Sequence, residues 1–196
     1  MSEGSPNLRD ATPHLVRKSA DETDGEFVRF ESTIHPGDGD ADLPHEPWGL
    51  DNDFRHVHPN QTERWEVVSG RLRISVDGDE RTLTAGDDAV LPEDVPHRHW
   101  NPTAEPIRVV WERRPAFDDE EWAESVYALA QAGETDEDGV PSPLQIAVWI
   151  DTYPNATAYP AVLPVSLQRF GASLLAPVGR RLGYDATYER GEVDNR

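Results

Sequence analysis

Between residues 26 and 114 the chain runs in short alternating segments, each cut after a few residues by Gly, Pro or Asp. This rhythm is the tightest constraint in the sequence, because it leaves no stretch long enough for a helix of ordinary length. Strands are expected over 26–34, 54–58, 63–68, 71–76, 81–83, 89–91, 97–101 and 107–112. The breaks between them include Ser69-Gly70, Asp77-Gly78-Asp79 and Ala85-Gly86-Asp87. Arg71–Val76 is the cleanest strand: Leu72, Ile74 and Val76 share one face and Arg71, Arg73 and Ser75 the other. Many short strands joined by tight turns predict a mainly β barrel or sandwich rather than βαβ units.

The flanks read differently. Residues 1–25 show no sustained period and are expected to be a flexible acidic tail. Residues 36–47 (PGDGDADLPHEP) form a Pro/Gly/Asp loop. After Pro115 the period turns helical, so the chain divides into a tail over 1–25, a β body over 26–114 and a helical extension over 115–196 that packs on it. Asp118 and Glu121 are spaced as a capping box, with Phe117 and Trp122 as its staple. The stripe Trp122, Val126, Leu129 then runs to a stop at Gly133. Ser142-Pro143 is an N-cap and first-turn pair for a helix over 144–153, apolar nearly all round and hence buried. A last helix over 165–182 carries Leu167, Phe170, Leu174, Val178 and Leu182 on one side, with a kink or break expected at Pro177.

Composition narrows the function. With 38 Asp and Glu against 18 Lys and Arg the net charge is −20, a field that repels nucleic-acid backbones and anionic lipid. No apolar run is long enough to span a membrane and the first residues are not those of a signal peptide, so a cytoplasmic protein with a small-molecule ligand is expected. The absence of Cys removes disulfides, thiolate nucleophiles and sulfur-ligated metals. Lys18 is the one lysine, and an acidic surface that has almost abandoned lysine fits a protein adapted to high salt.

Four of the seven histidines fall in two short windows. On a strand, residues i and i+2 face the same way, so His56 and His58 project together, and Glu63 arrives on the next strand after a four-residue turn. Two imidazoles and a carboxylate on a rigid β frame form a face suited to iron, manganese, nickel, copper or zinc. The second window places His97 and His99 on a strand directly after a Pro-bounded turn.

The two windows read HxH(x)4E(x)6G over 56–70 and G(x)5P(x)4H(x)3N over 86–101. Together they resemble the paired motifs of the cupin superfamily, with two departures: Gly49 lies one residue too far from His56, and Asp94 replaces the glycine of the second motif. The resemblance implies a double-stranded β-helix, or jelly-roll barrel, formed by a type-2 cupin domain and followed by C-terminal helices. It also implies one divalent metal per chain (Fe, Mn, Ni or Zn) on His56, His58, Glu63 and His97, with two coordination positions left open. By strand parity Phe54, Trp65, Val67 and Asn101 are expected to line the substrate pocket, and His99 is the candidate acid/base. The activity the resemblance implies is metal-dependent, of dioxygenase type first and isomerase or decarboxylase next. The competing reading is a non-catalytic cupin that binds or senses a sugar or other small molecule. A homodimer is expected from superfamily habit and the apolar tail.

Overall fold

The computed structural model describes residues 15–34, 55–136 and 140–188. Among the described residues ten strands build two antiparallel sheets. They are β1 (Leu15–Lys18), β2 (Val28–Ile34), β3 (His56–Val57), β4 (Thr62–Ser69), β5 (Arg71–Val76), β6 (Asp79–Thr84), β7 (Asp88–Leu91), β8 (His97–Trp100), β9 (Ile107–Arg114) and β10 (Tyr159–Pro160). One sheet has the order β1-β2-β9-β4-β7 and the other β10-β3-β8-β5-β6. Among the described residues three α-helices follow or interleave: α1 (Asp119–Ala132), α2 (Pro143–Thr152) and α3 (Val165–Arg181). This is the mainly β double-stranded β-helix with a helical extension that the turn spacing and motifs predict.

Alternation explains the core. Phe30, Trp65, Val67, Leu91, Val109 and Trp111 from one sheet meet Leu72, Ile74 and Leu83 from the other in one buried cluster. β5 and β6 pair from Arg71↔Thr84 to Val76↔Asp79, which leaves Asp77-Gly78, both with positive φ, as a two-residue hairpin turn. Gly70 is required twice over. Its φ is +88°, and a Cβ there would fall inside the Ile107 side chain. The motif's replaced glycine is also accounted for: Asp94 takes φ +57°, a region Asp enters more readily than most residues, and its N–H donates to His58 O at 2.9 Å. The second motif's turn is thereby tied to the first.

The structure corrects three expectations. Part of the expected tail is ordered: Leu15–Lys18 adds an edge strand to β2, with Arg17 paired to Glu31, and Asp21–Thr23 forms a 3-10 turn. A four-residue edge strand carries no period of its own; it is fixed by a partner distant in sequence. The capping box does not form, since the Asp118 side chain makes no cap hydrogen bond. Of the kink or break expected at Pro177, the break does not occur, since α3 is continuous from Val165 to Arg181.

The apolar stripe of α3 is the side that does not pack on α2. Ala172, Ala176 and Gly179 face inward, and a Cβ on Gly179 would lie 2.9 Å from Val148 Cγ2 and 3.1 Å from Leu144 O. Small residues let α3 lie close on α2, and the large apolar residues point away. Val162, Leu163, Leu167, Phe170, Leu174, Leu175, Val178 and Leu182 are 46–80 % exposed. The extension also enters the barrel's own sheet, because β10 pairs with β3 through Tyr159↔Val57 and Pro160↔His56. Val57, Ala147, Ile150, Tyr159 and Ala172 form a small core behind the histidine strand.

Candidate metal centre

The site lies between the sheets. β3 carries His56 and leads directly to His58, and it pairs with β8 through His56↔His97, so three imidazoles come from one sheet. Glu63 comes from the other, on β4 between Leu91 of β7 and Arg113 of β9. The imidazole ring centres are 5.1 Å apart for His56 and His58, 4.5 Å for His56 and His97, and 5.6 Å for His58 and His97. Glu63 Oε1 is 3.2 Å from His58 Nε2, and Oε2 is 3.4 Å from His97 Nε2. One donor atom from each of the four residues lies within 4.8 Å of every other, and all four side chains are buried.

This donor set fits a metal ion. Two donors each about 2.1 Å from one ion and at right angles to it stand about 3.0 Å apart, close to the glutamate–histidine distances here. His97 Nδ1 lies 2.8 Å from Val95 O, which fixes the ring hydrogen on Nδ1 and leaves the Nε2 lone pair facing the cluster. Neither nitrogen of His58, nor Nε2 of His97, makes a hydrogen bond of good geometry among the described residues, although all are buried. Protonation matches. Burial, then the Arg113 charge, pushes His58 down to about 4, and burial with the neighbouring His97 and His58 pushes His56 well below its ordinary value. Burial pushes Glu63 up, but His58 and Arg113 outweigh it, so the carboxylate stays ionised well below its ordinary range. Neutral imidazoles beside a carboxylate are the ligand-ready forms.

A network behind Glu63 escapes sequence reading. Arg113, fully buried on β9, donates from Nε to Glu63 Oε1 at 2.6 Å and from Nη1 to Asp119 Oδ1 at 2.9 Å. Gln61 Nε2 donates to Asp119 Oδ2 and to Pro115 O, the latter at 2.8 Å. The guanidinium carbon lies 5.2 Å from the ring centres of both Trp111 and Trp122. Burial, opposed by Arg113, raises Asp119 to about 7. The signal was available in the parity of β9: Arg113 falls on the inward register of Ile107, Val109 and Trp111, where a charge needs a buried partner.

The other singled-out residues divide. Trp65 is buried and donates from Nε1 to Glu63 Oε2 at 3.1 Å, while its ring lies 4.0 Å from that of His99. His99 is buried on β8 with its ring centre 6.1 Å from that of His56. Val67 packs in the core. The Asn101 amide organises the following turn, donating to Ile34 O and Glu105 O and accepting from Thr103 N and Oγ1. Phe54 and Gly49 lie outside the described residues.

Two antiparallel sheets enclosing three histidines and a glutamate define a cupin-type barrel with a candidate metal centre. The cupin domain family model matches residues 30–111, a span that holds all four cluster residues, so the chain carries a cupin domain. It is similar to a double-stranded β-helix protein of Klebsiella pneumoniae at 24 % identity, over 59 % of this chain and 82 % of that one, with a TM-score of 0.39. It is also similar to a cupin-2 domain protein of Shewanella frigidimarina at 16 % identity, over 54 % and 82 %, TM-score 0.39. A third similar structure is the cupin domain of an XRE family transcriptional regulator from Enterobacter cloacae, at 23 % identity over 52 % and 93 %, TM-score 0.38. No curated protein matches the chain. Among the described residues no helix is long and apolar enough to cross a membrane.

Proposed function

We propose that the protein is a mononuclear metal-dependent enzyme acting on a small organic molecule inside the barrel, of dioxygenase type first and isomerase or decarboxylase next. The observation that carries this reading is the buried cluster of His56, His58, Glu63 and His97, whose donor atoms converge within 4.8 Å. These four side chains would hold one divalent ion (Fe, Mn, Ni or Zn), which supplies Lewis-acid or redox chemistry to an oxygen-bearing substrate. Arg113 and Trp65 orient the Glu63 carboxylate from behind, and the Val95 carbonyl orients His97. The two sheets exclude bulk water, so each polar group acts in a low dielectric. His99 holds and returns a proton at a ring nitrogen, with Trp65 fixing its plane. The net charge of −20 supports a small-molecule ligand rather than a nucleic acid or an anionic membrane surface.

A second reading, a non-catalytic module that binds or senses a small molecule, is favoured by one observation. Trp65 Nε1, Asn101 and Arg113 are all committed to internal hydrogen bonds, so none of these three polar groups is offered to a reacting substrate. Protein loaded with Fe(II) or Mn(II) and offered small vicinal diols, enols and keto acids separates the two. Consumption of one compound, with His99→Gln lowering kcat at unchanged metal content, is expected. Binding without turnover across the panel would leave the module. Metal content unmoved by His97→Ala would remove the site from both readings.

A further inference from the structure

The outer face of α3 violates the ordinary arrangement of a water-soluble surface. Leu167, Phe170, Leu174 and Val178 follow one another at helical spacings of three and four and are 47–60 % exposed, and Leu163 and Leu182 extend the stripe at either end. With flanking Val162 and Leu175 the patch offers on the order of 800 Å², above the ~300–600 Å² of the largest apolar patch on a typical monomer and near the ~800 Å² each partner contributes to a standard interface.

Charge identifies the occupant. One residue in five of this chain is acidic, yet residues 152–184 contain no Asp or Glu. Two of the three arginines in that stretch are turned onto their own chain. Arg169 donates to Pro154 O at 2.6 Å and to Tyr159 Oη at 3.0 Å, and Arg180 donates to Asp151 Oδ2 at 2.7 Å. The face is therefore almost neutral as well as apolar. A helix that lies on an anionic lipid surface needs a cationic flank, and here Arg169 and Arg180 are engaged elsewhere while the rest of the chain is strongly acidic. A second copy needs the opposite: a patch free of the acids that elsewhere drive two molecules apart, and complementary to itself about a two-fold axis.

We infer that two copies of this chain associate through α3, the helices lying antiparallel with the axis between Phe170 and Leu174. Phe170 of each copy then packs against Leu174 of the other, and α2 and α3 of both copies make a four-helix layer. Gly179, Ala176 and Ala172 hold α3 on its own α2, so the large side chains are free for the partner. Because the remaining surface is acidic, added salt tightens the pair.

Sedimentation equilibrium at tens of micromolar protein in molar KCl tests this. The wild type is expected at twice its chain mass of 21.9 kDa, with dissociation favoured as KCl is lowered. Phe170→Glu/Leu174→Glu is expected to weaken association at least about 100-fold, with the far-UV circular dichroism of the wild type, and Leu174→Ala to give an intermediate effect. A monomeric wild type would overturn the inference, as would a dimer that survives the double substitution. So would flotation of a monomeric wild type with vesicles of phosphatidylcholine and phosphatidylserine, if the double variant lost it; the face would then belong to lipid.

Discussion

The inner end of the barrel and the outer face of α3 break the same rule in opposite directions. At the first, three histidines, a glutamate, an arginine and an aspartate are buried; at the second, eight large apolar side chains face outward. Burying charge is tolerated only where partners are supplied, and exposing apolar surface is stable only where something covers it. The contrast separates a region whose polar groups have converged on one another from one whose apolar groups stand exposed among the described residues.

The contrast breaks most easily at Arg113. Arg113→Met leaves Glu63 and Asp119 buried without their shared cation and is expected to lower the unfolding free energy by about 3–5 kcal/mol. A loss below about 1 kcal/mol in urea denaturation would mean the network is not what holds the inner end. On the other side, Gly179→Ala forces a Cβ against Val148 and Leu144 and is expected to cost about 1–3 kcal/mol by prying α3 from α2. A neutral result would show that α3 shifts freely.

Asp119 sharpens the comparison through pH. It holds its proton in the fold to about pH 7 against an ordinary value of 3.8, so between those limits the folded state binds the extra proton and loses stability as the pH rises. Asp119→Asn removes this dependence. The difference between the two stability curves should fall inside that window, and parallel curves through it would contradict the assignment. The smallest effect is expected at the exposed stripe: Leu174→Glu should change the stability of the isolated chain by no more than about 0.5 kcal/mol, read at concentrations where the wild type is monomeric. Adaptation to salt remains a proposal, tested by whether the fold weakens as KCl is withdrawn.

How far the sequence carries follows the same division. β5 was legible to the residue, since Gly70 and Asp77-Gly78 bracket a strict alternation. His56, His58, Glu63 and His97 were legible because period-2 geometry and motif spacing are local, and the structure draws these four together. Arg113 was not, because its role depends on which residue lies across β4 and on α1 starting at Asp119. β1 escaped for the same reason. The α3 stripe was readable from its period, but not its direction. That is decided by Ala172, Ala176 and Gly179 fitting against α2, a contact between two helices that no single helix encodes.

We propose that the buried cluster holds one divalent ion. Elemental analysis of protein purified in molar KCl, wild type beside His56→Ala/His58→Ala, tests it most directly. Close to one iron, manganese, nickel or zinc per chain is expected in the wild type and none in the variant. A wild type without metal, or a variant that keeps it, would mean that these histidines are not its ligands.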